Sequence, residues 1–509
     1  MVSAVGCPDN DAPNGTSNPG DGTGAHNPPV VVDPLFDGWE SPAFTIVLTG
    51  EQHGYLEPCG CAEHQSGGIS RRADLFRQIR EKKWPVTGLE LGGMIRRSRE
   101  QSIQKFQTML TAMNDMNYAA LSLGPEEMRL GAPQLIALTA ADPENPEDSI
   151  PILGANVVFF GSRDNEGNPK AFHVVEQDGV KIGVTAIFGE SLVKKTFVEG
   201  GTSFIEIQEP AAALTPVVES LKAEKPDLLV LLSHASLSES KALAERFADF
   251  DIVLSAGGSE DPLSDNPVMV GDTMLVTAGH KGKYAGVIGY FPDDEKQRLR
   301  FELVNLDYKR FEDSPQMYEH MKSLQQLFED MQLAQNEQPI PHESRANFVG
   351  AAKCGECHKK AYAKWKNSKH AHAYESLIRG REGQEKNWIS RIHDPECLCC
   401  HVTGWEPQEV LPFESGFLSV DETPLLKGQQ CENCHGPGGG DGKHVALEEL
   451  WSEDRSQVSQ EDVIAERKRM ALDKKTAKKQ LCIQCHDGDN SPKFDFDVYW
   501  EKIQHPWKD

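Results

Sequence analysis

Four copies of one five-residue pattern limit what this chain can fold into: Cys354-Gly-Glu-Cys357-His358, Cys397-Leu-Cys-Cys400-His401, Cys431-Glu-Asn-Cys434-His435 and Cys482-Ile-Gln-Cys485-His486. Two thiols two residues apart on a tight turn reach the two vinyl groups of one porphyrin, and the adjoining imidazole sits under the iron. The pattern therefore calls for four covalently bound c-type haems with His358, His401, His435 and His486 as proximal ligands. Zinc knuckles and disulfide frameworks also use Cys-x-x-Cys, but neither requires a His directly after every pair. Residues 347–509 leave roughly forty positions per haem, most of them polar, so a side-chain core is hard to find there and porphyrin surface is expected to replace it. The region is predicted to be a mainly α-helical, loop-rich multihaem cytochrome c domain. Covalent haem attachment takes place outside the cytoplasmic membrane, which makes the chain an exported one.

Five further histidines in this region, His370, His372, His393, His444 and His505, are candidates for at most four vacant axial positions. The spacing predicts an amphipathic helix over residues 361–377, with His370 on it and His372 on another face, so that one of the two reaches an iron. Cys399 is a spare thiol inside the second motif, expected to be an inert neighbour.

The first motif followed by Trp365-Lys-Asn-Ser368-Lys-His370, the third followed by Gly-Pro-Gly and His444, and the fourth followed by Tyr499-Trp-Glu-Lys-Ile-Gln-His505-Pro together resemble the small tetrahaem cytochromes that take electrons from hydroxylamine oxidoreductase. The resemblance implies His370, His444 and His505 as distal ligands and one haem without a strong sixth ligand. The haem on Cys397 and Cys400 is the expected open one, with His393 and His372 as the residues that would close it. Two imidazoles make an electron carrier, whereas an open iron binds small ligands such as nitric oxide or nitrite.

Residues 41–310 alternate short β runs (44–49, 88–91, 119–123, 150–157, 181–188, 227–233 and 251–255) with helical stretches such as 101–116 and 210–223, the pattern of a layered α/β domain. Ligands sit at the polar ends of such strands. Thr49-Gly-Glu-Gln-His53-Gly54, Leu89-Glu-Leu-Gly-Gly93, Leu123-Gly-Pro-Glu-Glu127, Leu231-Leu-Ser-His234 and the stretch Asp251 to Ser259 occur in the order of the metal-binding segments of calcineurin-like metallophosphoesterases of the 5′-nucleotidase type, which they resemble. The resemblance implies an αββα sandwich. Against the family's Asp-x-His stands Glu51-Gln52-His53, against its Gly-Asp stands Gly92-Gly93, against its Asn-His stands Pro125-Glu126, and Gly257 to Ser259 hold no His. His53 and His234 survive. Two bridged cations about 3.5–4 Å apart need more ligands than that, so the expectation is a fold that has lost its dinuclear site, with Glu51, Glu90, Glu126 and Glu127 as the carboxylates from which a weaker divalent-metal site would be built. Cys59-Gly-Cys61, on the loop after the first strand and followed by His64, is open to three readings: a structural disulfide, a soft-metal or redox-active pair, or an idle pair.

The formal charge of −26 repels nucleic acid and anionic membrane surfaces, and no run approaches the 18 apolar residues of a membrane-spanning helix. Ala4-Val-Gly-Cys7 resembles the end of a bacterial lipoprotein signal without its apolar stretch. Cys7 is thus either a lipid-anchor site tying the chain to the outer face of a membrane or incidental. Residues 1–40, rich in Asn, Asp, Gly, Pro, Ser and Thr, read as a flexible tether. Residues 311–346, helical from 314 to 332 and then proline-containing, read as a linker. Residues 459–480 read as one charged helix that could dock an acidic redox protein. The functional expectation is an exported electron relay serving redox partner proteins, periplasmic or otherwise extracytoplasmic. The rivals are an oxidoreductase acting on a small nitrogen or sulfur compound at the open haem, and a phosphoesterase with an attached electron carrier. Composition leaves the oligomeric state open.

Overall fold

The computed structural model describes residues 34–58, 65–140, 149–165, 167–197, 203–262, 264, 266–380 and 387–505. Cys7, Cys59 and Cys61 lie outside them. Residues 36–509 cohere as one compact unit.

The sequence alternation at 44–121 produces strands β1 (Phe44–Thr49), β2 (Val86–Glu90) and β3 (Tyr118–Leu121), joined by helices α1 (Ile69–Glu81) and α2 (Glu100–Met116). The three strands pair in parallel. A hairpin of Tyr284–Tyr290 and Leu299–Asn305 completes this sheet by pairing antiparallel with β1. A second sheet of six strands runs in the order Val268–Val270, Thr273–Thr277, Ile252–Ser255, Leu228–His234, Val180–Phe188 and Phe172–Gln177.

Alternation in register sorts the side chains. Ile46, Leu48 and Leu89 of the first sheet share a buried cluster with Val184, Val230, Leu232 and Leu254 of the second. The intervening residues Leu229, Leu231 and Val253 turn to the other side and meet Leu214, Val218 and Leu221 of the helix Pro210–Ala223. Two sheets face to face, with helices outside, make the αββα sandwich. The expected strand over 150–157 reduces to two isolated bridges at Ile152 and Leu153 followed by Val157–Phe159. The C-terminal ends of β1, β2, β3 and Leu228–His234 converge on one edge, where the candidate residues lie.

The helix of the expected linker, Pro315–Asp330, packs on α1 and α2 and buries Met317, Met321, Leu324 and Phe328. Beyond it, the haem motifs lie on short helices (Ala351–Cys357, Pro395–His401, Cys431–His435) and on a 3₁₀ turn, Cys482–Gln484. A side-chain core does exist around the second motif, contrary to expectation: Tyr374, Leu377, Leu398, Val402, Trp405 and Phe417 are buried together. Between 440 and 505 only Leu447, Val463, Ala477 and Phe496 are buried apolar residues. The helix expected over 361–377 is broken into Lys359–Lys366, the 3₁₀ turn Lys369–His372 and Ala373–Arg379, because Ser368 adopts extended backbone. The charged helix of 459–480 is likewise interrupted: Gln460–Arg469 ends, and the Asp473 carboxylate caps a new start by accepting from Lys475 and Thr476 N–H. No helix of the described residues is long and apolar enough to cross a membrane.

Phe328 is fully buried, so Phe328→Ala is expected to cost about 3–5 kcal/mol, read as a lowered urea midpoint. An unchanged midpoint would show that this helix is a true linker.

Candidate functional site

Three imidazole pairs dominate the C-terminal region, each joining a motif His to a His far away in sequence. The ring centres of His358 and His444 lie 6.4 Å apart at 15°, those of His370 and His486 6.0 Å apart at 41°, and those of His435 and His505 5.7 Å apart at 51°. An imidazole nitrogen stands about 2 Å from a metal it ligates, which puts the centres of two rings on opposite sides of one iron about 6 Å apart. The residues thus fit an iron between the members of each pair.

Their protonation and orientation fit as well. Nδ1 of His435 donates to Met470 O (2.7 Å), Nδ1 of His401 to Ala373 O (2.8 Å), and Nδ1 of His486 lies 2.9 Å from Ser491 Oγ. Such bonds turn the other nitrogen toward a metal. Nδ1 of His444 is buried with no hydrogen-bond partner. Burial, with His486 and His401 nearby, pushes His370 down to about 4, and burial lowers His435, His444 and His486 too. A metal needs the neutral form.

His401 differs, since among the described residues no imidazole pairs with it ring to ring. His372 is exposed, and His393 lies 3.6 Å from Glu329 of the helix Pro315–Asp330. Cys399 is buried, 3.8 Å from Cys400.

The motifs also have a spatial order that differs from their sequence order. The thiols of Cys354 and Cys431 are neighbours, those of Cys434 and Cys482 lie close, and those of Cys400 and Cys485 are neighbours. The order is first, third, fourth, second. The second motif abuts the sandwich: Glu396 bonds to Arg97 (3.2 Å) and Lys105, and Gln101 donates to Asp394 (2.5 Å). The turn after the fourth motif abuts it as well, with Asp489 2.6 Å from Lys281 and 2.9 Å from the Tyr55 hydroxyl. A cleft between the two regions is lined by His53, Tyr55, Arg96, Glu396, Cys400 and Gln484.

On the sandwich edge, Glu51 stands between the two surviving histidines, 3.1 Å from His53 Nε2 and 3.1 Å from His234 Nε2. Glu51 and His53 both have left-handed backbone, φ 53° and 49°, held by Glu51 N–H to Gly92 O and His53 N–H to Gly93 O. A Cβ at Gly93, where the family's Asp would stand, would come within 2.6 Å of Glu51 Oε1. The longer Glu51 thus occupies the room that an aspartate side chain at this position would take. Arg72, fully buried, lies 3.5 Å from Glu90 and donates to Gln52. Burial raises Glu90 to about 7 even though Arg72 and Thr49 favour its charge. Glu127 accepts from the backbone N–H groups of Gly93, Ile95 and Gly124, whereas Glu126 pairs with exposed Arg129. Glu90 and Glu127 are held by protein groups, and Glu51 Oε1, buried without a hydrogen-bond partner, leaves with His53 and His234 fewer donors than a pair of bridged cations needs. Among the described residues no cluster of three or more His, Cys, Asp or Glu could hold a metal.

Arg72, Gln52 and His280, which lies 5.5 Å from His53, escaped the sequence reading. Arg72 had a signal: it shares the apolar stripe of α1 with Leu75, Phe76 and Ile79.

Comparison with known proteins divides the chain in the same way. A family model described as cytochrome c554 and c-prime matches residues 353–436, which hold the first three motifs. Cytochrome c-554 of Nitrosomonas europaea is 35% identical over 99 residues, 18% of this chain and 40% of its own. The 5′-nucleotidase of Bos taurus is 24% identical over 263 residues, 49% of this chain and 44% of its own. The solved 5′-nucleotidase precursor of Thermus thermophilus aligns with a TM-score of 0.49 at 19% identity, covering 61% of this chain and 62% of that one. The chain spans less than half the length of these curated relatives. Its C-terminal region is similar to cytochrome c554, and its N-terminal region to 5′-nucleotidases.

Burial would raise Glu51, but the charge of His234 and the bond and charge of His53 hold it below 4.5. Burial would lower His53, but Glu51 lifts it above 6.5. The clamp therefore stabilises the fold between these values, is lost as pH falls through the lowered Glu51 value, and is lost as pH rises through the raised His53 value. Glu51→Gln is expected to cost about 1–3 kcal/mol near pH 6, with a deficit that shrinks in both acid and alkali. Urea midpoints across pH check this, and a deficit independent of pH would refute it.

Proposed function

We propose that the chain is an exported four-haem c-type cytochrome that relays electrons between redox proteins, and that its phosphoesterase-like sandwich is catalytically silent and serves as a scaffold. The observation that carries the relay reading is the set of three imidazole pairs spaced for an iron. Haem, when bound, supplies reversible one-electron chemistry at an iron whose potential follows its axial ligands and burial.

The chain's own residues do the rest. The four Cys pairs would fasten the haems, and His358, His401, His435 and His486 would each hold one. His444, His505 and His370 would supply the second imidazole beside His358, His435 and His486, and sites held by two imidazoles would carry electrons rather than bind substrate. Ala373 O, Met470 O and Ser491 fix the imidazoles on their axes. The order first, third, fourth, second sets neighbouring motifs side by side, a run along which electrons pass between adjacent sites.

The sandwich is silent because its own groups fill the place of the cations. Arg72 supplies the buried positive charge beside Glu90, and Glu51 clamps both histidines. A metal would have to displace these contacts before it could activate water. The scaffold role rests on the bonds from Arg97, Lys105, Gln101, Tyr55 and Lys281 to the second motif and to the turn after the fourth.

A second reading concerns the haem on Cys397 and Cys400, since no described imidazole faces His401. There the chain would bind a small nitrogen or sulfur compound.

Purified protein is expected to show four haems by pyridine haemochrome, three of them low-spin and one high-spin and able to bind carbon monoxide. His370→Ala, His444→Ala and His505→Ala should each add one high-spin haem without changing the count. Four low-spin haems in the wild type would eliminate the second reading, and a count below four would eliminate the first. With added manganese, nitrophenyl phosphate hydrolysis should not rise above buffer; turnover that Glu51→Gln abolishes would show that the sandwich is an enzyme.

A further inference from the structure

A run of like charge lies beside the first haem motif in this acidic chain. Between Cys357 and Tyr374 the sequence holds five lysines and no acidic residue, although the whole chain carries a formal charge of −26. The helix Lys359–Lys366 displays four of them, Lys359, Lys360, Lys364 and Lys366, all exposed, and Lys369 follows. Its other side is anchored: the Trp365 indole donates to Gln429 O at 2.7 Å, and Tyr362 packs against Trp365.

Several cations elsewhere are matched. Asp497 takes Lys474 and Lys478, Glu260 takes Lys281 and Lys283, and Glu448 takes Arg467. Among the described residues no ion pair engages Lys359, Lys364, Lys366 or Lys369. Lys359, Lys364, Lys366 and Lys369 thus present like charge along one short stretch. The first motif is also at the opposite end of the spatial order from the second, whose Glu396 is bound by the sandwich.

We propose that Lys359, Lys364, Lys366 and Lys369 form a docking surface for an acidic redox protein, through which electrons enter or leave at the first haem motif. The inference rests on the relay reading and adds the place and charge of the partner. Exposed charges farther apart than about 8 Å are screened at physiological ionic strength. A partner therefore meets the local lysine field rather than the net negative charge of the chain, and complementary charge raises the encounter rate. Each encounter moves one electron: the donor centre is oxidised as one haem iron passes from ferric to ferrous, and no bond or proton need move.

The test uses the full holoprotein and reduced plant-type ferredoxin, an acidic one-electron donor, in stopped-flow mixing, with binding of oxidised ferredoxin followed by titration calorimetry. In the wild type the second-order rate should fall as salt is added, as for unlike charges. The triple variant Lys359→Glu/Lys364→Glu/Lys366→Glu should lose about tenfold or more of that rate at low salt, reverse the salt dependence and lose calorimetric binding, with four haems retained and dithionite reduction unchanged. Lys475→Glu/Lys479→Glu, on the basic turn before the fourth motif, should stay within about twofold. A wild-type rate that rises with salt, an unaffected triple variant, or a loss confined to the Lys475/Lys479 variant would each overturn the proposal. Failure of dithionite to reduce the haems of the wild type would instead overturn the relay reading beneath it.

Discussion

The C-terminal third depends on bringing together imidazoles that the chain keeps far apart. His358 meets His444, His370 meets His486, and His435 meets His505. Each pair closes a long loop, and closing loops costs entropy that few buried side chains are present to offset. Beyond residue 440 only four apolar residues are buried among those described. Under the proposed reading, four haems bonded through Cys and His supply both the missing apolar surface and the cross-links. The second motif is the exception, for it lies in a true side-chain core and against the sandwich, and it is there that His401 lacks a described imidazole partner.

The sandwich keeps its layers around an edge whose groups bond chiefly to one another. A catalytic edge that holds two cations needs carboxylates and imidazoles facing an open space. Here the same edge is closed from within by several matched changes. Glu51 extends into the room left by Gly93, Arg72 brings a guanidinium to Glu90 and Gln52, and Glu127 is occupied by three backbone donors. The left-handed backbone at Glu51 and His53 remains. That strained backbone sets Glu51 between His53 and His234.

The two halves communicate through charge. Arginines and lysines of the sandwich hold the carboxylates of the second motif and of the turn after the fourth, while Lys359, Lys364, Lys366 and Lys369 meet no acid within the described residues. One end of the run of motifs is therefore built into the molecule, and the lysines stand at the other. Under the proposed reading, this asymmetry would give the relay a direction in space.

The four attachment motifs, the α/β alternation and the loss of family metal ligands were legible in the sequence, because each rests on residue type at short spacing. Strand β1 and the helix Pro210–Ala223 appear at the expected bounds for the same reason: periodicity is local. Arg72 was missed because an arginine on an apolar stripe is read as a surface residue until a buried carboxylate is seen opposite it. The break at Ser368 was missed because backbone that leaves a helix for tertiary contacts leaves little trace in periodicity. The sequence by itself determined where the four Cys-x-x-Cys-His motifs stand and which residue types each half offers. Only the tertiary structure decided which histidine faces which, in what order the motifs stand, and which charges are consumed, because those relations depend on through-space distances between segments whose separation along the chain says nothing of their proximity.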